Sequence, residues 1–172
     1  MDKISGLVED LLNVSRMNAA GAIQLKKTVV PIRKLLEECC NQVSEGGTHH
    51  VELQGELSAD VFVDADRIDQ VLTNLTNNAV KYAPEAPLIT IQVKQLADHI
   101  QLSVTDRGPG IPKEKLPYLF DRYYRVDESG QQVSGLGLGL YISAEIIERH
   151  DGQIGVESEP GQRSTFWFTL PL

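Results

Sequence analysis

Apolar residues recur along this chain with two distinct periods. Over residues 2–17, Ile4, Leu7, Val8, Leu11, Leu12 and Ser15 follow the i, i+3, i+4, i+7, i+8 spacing of an amphipathic helix. A single helix this short is marginal in water and calls for a partner helix. After a break at Met17–Gly21, residues 23–30 read as extended. Pro31 then suits a first helical turn, and Ile32, Leu35, Leu36, Cys39 and Val43 continue a second helical stripe. Short strands are expected at Val51–Leu57 and Val61–Val63, around a polar turn. Asp64 is the expected N-cap of a third helix running to about Tyr82, with Ile68, Val71, Leu72, Leu75 and Ala79 on its apolar face.

Two alternating runs follow, Leu88–Leu96 and His99–Thr105, joined by Ala97-Asp98, which predicts an antiparallel hairpin. Asp106-Arg107-Gly108-Pro109-Gly110 is a turn, and Pro112–Phe120 a short helix. Residues 125–134 carry no pattern. A helix is expected over Leu138–His150 with Gly152 past its end, then a final hairpin of Ile154–Ser158 and Ser164–Leu170. Mixed helices and strands with antiparallel hairpins predict an α+β fold, one helical layer on one sheet, rather than a regular βαβ series.

Composition narrows the classes. With 172 residues there is room for one good-sized domain and an appendage. The net charge of −8 and the absence of any Lys/Arg cluster beyond Lys26-Lys27 argue against nucleic-acid binding. No apolar run or leader pattern indicates a membrane span or secretion, so the expected location is cytoplasmic, without direct membrane contact. Cys39 and Cys40 are adjacent and cannot staple distant segments.

Four features carry candidate chemistry. Asn74, Asn78, Lys81 and Tyr82 share one stripe of the third helix, at offsets 0, 4, 7 and 8. Asn costs a helix roughly half a kcal/mol relative to Ala, so the two amides read either as a solvated face or as oxygen ligands for a hard cation such as Mg2+. Asp106 at a strand end reads either as a turn residue or as an acceptor for the amino group of a ligand base, with Gly108 and Gly110 letting a flat ring approach. In Leu119-Phe120-Asp121-Arg122-Tyr123-Tyr124-Arg125, Phe120 is expected to pack and Arg125 to reach a phosphate. The run Gly135-Leu136-Gly137-Leu138-Gly139 before a helix is either a flexible loop or a phosphate cradle at a helix N-terminus. A dinucleotide-binding site would need an apolar strand directly before the glycines and a G-x-G-x-x-G spacing, and neither is present.

In this order, and with the extended matches Gln70–Tyr82 and Gly135–Ser143, these features resemble the catalytic and ATP-binding domain of sensor histidine kinases. The opening Ile4–Leu12 segment is similar to the second helix of that family's dimerisation hairpin. The resemblance implies a Bergerat-type sandwich, a mixed and mostly antiparallel sheet backed by helices. Residues 1–22 would be a partial dimerisation helix and linker, and 23–172 the ATP-binding domain. It implies ATP and Mg2+ as ligands. Asn74 and Asn78 would serve as catalytic residues, Asn78 holding the metal; Lys81 and Arg125 would touch phosphate. Tyr82 would flank the adenine and Asp106 would accept from its amino group. Gly108 and Gly110 would shape the floor, while Ser164 and Thr165 would line the base pocket. Gly135, Gly137 and Gly139 would cradle phosphates beneath a lid of residues 126–134.

The phosphoacceptor of that family is a His on a dimerisation helix. None of His49, His50, His99 and His150 stands in such a setting. The expectation is therefore a fragment of a longer homodimeric kinase, with Met1 an artificial or trimmed start, unable to autophosphorylate alone. Its partners would be the missing helix and a response-regulator receiver domain. An anti-sigma-type serine kinase and a non-catalytic interaction module of the same fold are the alternatives. Arg163 departs from the glycine that many relatives carry.

Overall fold

The structure is a computed structural model that describes Val8, Leu11, Leu12, Ser15 and residues 24–124 and 138–172. The four N-terminal described residues are helical, in line with the stripe; Ile4 and Leu7 lie outside the described residues.

Eleven further elements follow: β1 (Thr28–Pro31), α1 (Ile32–Glu45), β2 (His50–Gly55), β3 (Asp60–Val63), α2 (Ala65–Tyr82), β4 (Leu88–Gln95), β5 (His99–Asp106), a 3-10 helix (Lys113–Tyr118), α3 (Gly139–Arg149), β6 (Ile154–Glu159) and β7 (Arg163–Pro171). Five strands form the main sheet in the order β2-β4-β5-β7-β6, and β1 and β3 form a small antiparallel pair. Alternation along the strands buries Ile89, Ile91, Val93, Ile100, Leu102, Val104, Phe166, Phe168 and Leu170. Ile32, Leu36, Ile68, Leu72, Leu75, Ile142 and Ile146 from the three helices complete that core. The other sheet face is polar and half-exposed. It carries Trp167, whose ring lies against Gly155 of the neighbouring strand, where a Cβ would collide with it.

The hairpins β4–β5 and β6–β7 form as the alternation predicts. The segments flanking the polar turn at 56–59 behave differently: they enter separate sheets. β2 pairs parallel with β4, with Val51 opposite Ile89, whereas β3 pairs with β1. A parallel pair needs a crossover, and β3 with α2 supplies it. The chain leaves β2 through a bond from Glu56 N–H to the Val93 carbonyl and then packs α2 on the sheet before entering β4. The fold thus contains one parallel crossover inside an otherwise antiparallel sheet.

α2 follows its expected bounds for a local reason. The Asp64 carboxylate accepts from Arg67 N–H, Asp66 sits in the first turn and Lys81 in the last, both favourable with the helix dipole. All five expected apolar residues are buried. Thr76 is buried too, its hydroxyl donating to the Leu72 carbonyl. Cys39 packs beside it, and burial pushes its thiol up to about 12, so it stays protonated filler.

Candidate functional site

The C-terminal half of α2, the end of β5 with its following turn, and the first turn of α3 converge on one region. Asp106 ends β5 and is 4% exposed. Its Oδ1 accepts from Gly108 N–H at 2.9 Å, and no described residue donates to its second oxygen. Burial raises its pKa, and the Gly108 N–H pulls the other way. This is a buried carboxylate with spare acceptor capacity.

The two turn glycines have reasons that lie in the protein itself. A Cβ on Gly108 would stand 2.6 Å from the Tyr82 carbonyl and 3.0 Å from Asp106 Oδ1, so the glycine lets the turn close onto the end of α2. Gly110 has φ +70° and its α-carbon faces the Glu159 carbonyl at the β6–β7 turn. The turn is further held by Ile111 N–H donating to Ser158 Oγ at 2.7 Å. His49 Nε2 donates to the Ala83 carbonyl at 2.9 Å, fixing the exit of α2 from below, while its Nδ1 accepts from Thr48.

On α2, Asn74 and Asn78 are half-buried and one turn apart. Among the described residues nothing hydrogen-bonds to the Asn78 side chain, whereas Asn74 Nδ2 donates to the Gly139 carbonyl and to Ser143 Oγ, each at 3.2 Å. Lys81 is exposed and Tyr82 half-buried in the last turn. A Cβ on Gly139 would meet only ordinary contact with Asn74, at 3.7 Å, so among the described residues no close neighbour demands this glycine.

Ser164 is buried and is the cross-strand partner of Asp106, which places it at the base of this region. Thr165 does not join it. Strand alternation turns Thr165 to the opposite, open face, where its hydroxyl bonds Thr105 at 2.9 Å.

Phe120 packs as expected, edge-on to Phe166 at 6.3 Å. Beside it, Arg122 lies over the Tyr141 ring at 4.9 Å and donates to its hydroxyl at 3.0 Å, pinning this segment to α3. Arg125, Gly135, Gly137 and the 126–134 segment lie outside the described residues. The Arg122–Tyr141 pair and the Asn74–Ser143 bond have no local signal in the sequence, because each joins segments remote along the chain.

At the other end of the same helices, His150 caps α3. Its Nδ1 donates to the Ile146 carbonyl at 2.8 Å, and its Nε2 accepts from Asp64 N–H at 3.1 Å. Burial lowers its pKa below the ordinary 6.5. The Asp64 carboxylate in turn accepts from Lys26 N–H at 2.9 Å.

Comparison with known proteins decides the family. Residues 63–172 match the family described as histidine kinase-, DNA gyrase B- and HSP90-like ATPase. The chain belongs to that family. Its relatives are sensor kinases: the adaptive-response sensory kinase SasA of Crocosphaera subtropica is 38% identical over 172 residues, 96% of this chain and 44% of the relative. The sensor histidine kinase WalK of Bacillus subtilis is 35% identical over 99% of this chain and 29% of the relative. The chain therefore spans less than half the length of these curated relatives. Among solved structures, full-length ShkA in complex with AMPPNP superposes with a TM-score of 0.84 at 28% identity, over 99% of this chain and 36% of that one. The Acinetobacter baumannii histidine kinase AdeS gives 0.78 at 26% identity, over 99% of this chain and 79% of that one. The expected α/β sandwich is the fold found, and the chain corresponds to the ATPase-family part of these sensor kinases. Among the described residues no helix is long and apolar enough to cross a membrane.

Proposed function

We propose that this domain binds Mg2+–ATP and presents its γ-phosphate to a histidine on a dimerisation helix outside this chain. The buried Asp106, one oxygen committed to Gly108 and the other unclaimed by a described residue, carries the reading. A neutral hydrogen-bond donor such as an adenine amino group suits an acceptor of that kind. The amide set of α2 fits a hard cation. Asn78 has no described protein partner, so its amide oxygen is open to a cation, and Asn74 has spent its donors elsewhere and has only its oxygen left to offer.

In this reading Asn78 holds Mg2+, Lys81 and Arg125 contact phosphate, and Tyr82 flanks the adenine. Gly135, Gly137 and Gly139 approach the phosphates, with 126–134 as the lid. Bound Mg2+ would supply charge neutralisation on the transferring group; positioning and electrostatics are most of what phosphoryl transfer requires of a protein. Gly108 and Gly110 act indirectly, by letting the turn seat against α2 and the β6–β7 hairpin.

The histidine acceptor comes from elsewhere because the four present are otherwise placed. His49 and His150 are buried and bonded, His99 faces Asp98 on β5, and His50 lies on β2. Residues 1–22 are read as part of the dimerisation hairpin and its linker, 23–172 as the nucleotide domain. The parent is read as a cytoplasmic or membrane-anchored homodimer passing phosphate to a response-regulator receiver domain.

Calorimetry with ATP, in Mg2+ and in chelator, is the test. Wild-type protein should bind ATP with an affinity that rises with Mg2+, and Asn78→Ala should abolish that rise. An equal loss for Asn78→Ala in chelator would reject its role as metal ligand, and no wild-type binding at millimolar ATP would reject the reading altogether.

A further inference from the structure

Ser143 is fully buried on α3, between Ile142 and Ile146. A hydroxyl in such surroundings is costly unless hydrogen-bonded. Its hydrogen-bond donor lies on another helix, 69 residues away in sequence: Asn74 Nδ2, at 3.2 Å. The same Nδ2 stands 3.2 Å from the Gly139 carbonyl. A carbonyl oxygen cannot donate, so the amide atom facing it has to be nitrogen, and the orientation of the Asn74 amide follows from chemistry alone. The group has two hydrogens and two acceptors at hand. Both hydrogens are thereby assigned, one to the first turn of α3 and one to Ser143.

From this, and resting on the Mg2+–ATP reading above, we infer that Ser143 is a positioning residue for nucleotide binding. Its hydroxyl and the Gly139 carbonyl together take both amide hydrogens of Asn74, so Asn74 faces the site as an oxygen acceptor only. An acceptor is matched to a cation and to the waters it holds; an amide N–H would be matched to phosphate oxygens instead. The sorting of metal side from phosphate side along α2 is thus imposed from α3. The same bonds register the first turn of α3 against α2, so Gly139 is placed by the residue whose amide it orients.

The test compares wild type, Ser143→Ala and Ser143→Thr for ATP affinity in Mg2+ and in chelator. Ser143→Ala removes one oxygen and frees one Asn74 hydrogen. The affinity in chelator should stay unchanged, while the gain on adding Mg2+ should shrink roughly three- to tenfold, the range of one hydrogen bond. Ser143→Thr keeps the oxygen and should keep the gain. A second readout needs no ligand. In 15N-labelled protein the Asn74 side-chain NH2 pair should exchange slowly with water in wild type and rapidly in Ser143→Ala. A Mg2+ gain unchanged in Ser143→Ala, or a parallel fall with and without Mg2+, would overturn the positioning role while leaving the proposed function standing. Failure of the wild type to bind ATP would overturn both.

Discussion

Asp106 is one residue whose neighbours dictate what a substitution would do. Gly108 N–H requires an oxygen opposite it at 2.9 Å. In Asp106→Asn the amide oxygen takes that place, so the NH2 turns toward the pocket. A donor then meets the adenine amino group, also a donor, where a guanine would present a carbonyl. The variant should lose ATP affinity by about 1.5–3 kcal/mol and shift preference toward GTP, measured by competition calorimetry with the two nucleotides. The glycines divide by the same kind of reasoning. Gly108→Ala would set a methyl 2.6 Å from the Tyr82 carbonyl and should lower stability by about 1–3 kcal/mol. Gly139→Ala, with its nearest described contact at 3.7 Å, should leave the melting temperature near wild type and lower only nucleotide affinity. Thermal melts beside ATP titrations separate the two.

At the scale of elements, α2 and α3 are tied twice: by Asn74 to Gly139 and Ser143 near the site, and by Asp64 to His150 at the far end. The second tie needs a neutral imidazole, because Nε2 must accept. Burial lowers the His150 pKa, Lys27 adding to the effect, while the Ile146 carbonyl, Asp64 and Asp151 oppose it. The unfolded chain therefore binds the proton first as pH falls. The stabilisation is present above the ordinary value of 6.5 and is lost progressively below it. Melting temperature should drop more steeply with acidification below that value in wild type than in His150→Gln, whose side chain does not titrate there. α2 itself was legible in the sequence because every signal for it is local: an N-cap Asp, a 3.6-residue apolar stripe and a Pro after its end. The ties between helices were not legible, since Asn74 and Ser143, or Asp64 and His150, are adjacent only once both helices are packed.

Over the whole molecule, the same division between local and distant information holds. The β4–β5 and β6–β7 hairpins were readable because their partners are joined by short turns. The β2–β4 pairing was not, because alternation in Val51 and Leu53 shows which face is apolar and says nothing of the strand they lie beside. Thr165 shows the limit within one strand: neighbouring residues in sequence occupy opposite faces of the sheet, and only Ser164 is on the Asp106 side. The residues proposed for the nucleotide stand out as a set by their order along the chain, while the groups that hold them in place do not.

The sheet face opposite the helices has a practical consequence. Trp167 is the single tryptophan of the chain, seated on Gly155 away from Asp106 and α2. Its emission is therefore a private gauge of whether the sheet is assembled, separated by a full sheet thickness from anything bound among the helices. An unfolding curve recorded at this fluorophore in the presence of ATP should move along the denaturant axis while its native baseline stays where it was, so that linkage can be read without an optical signal from the ligand itself.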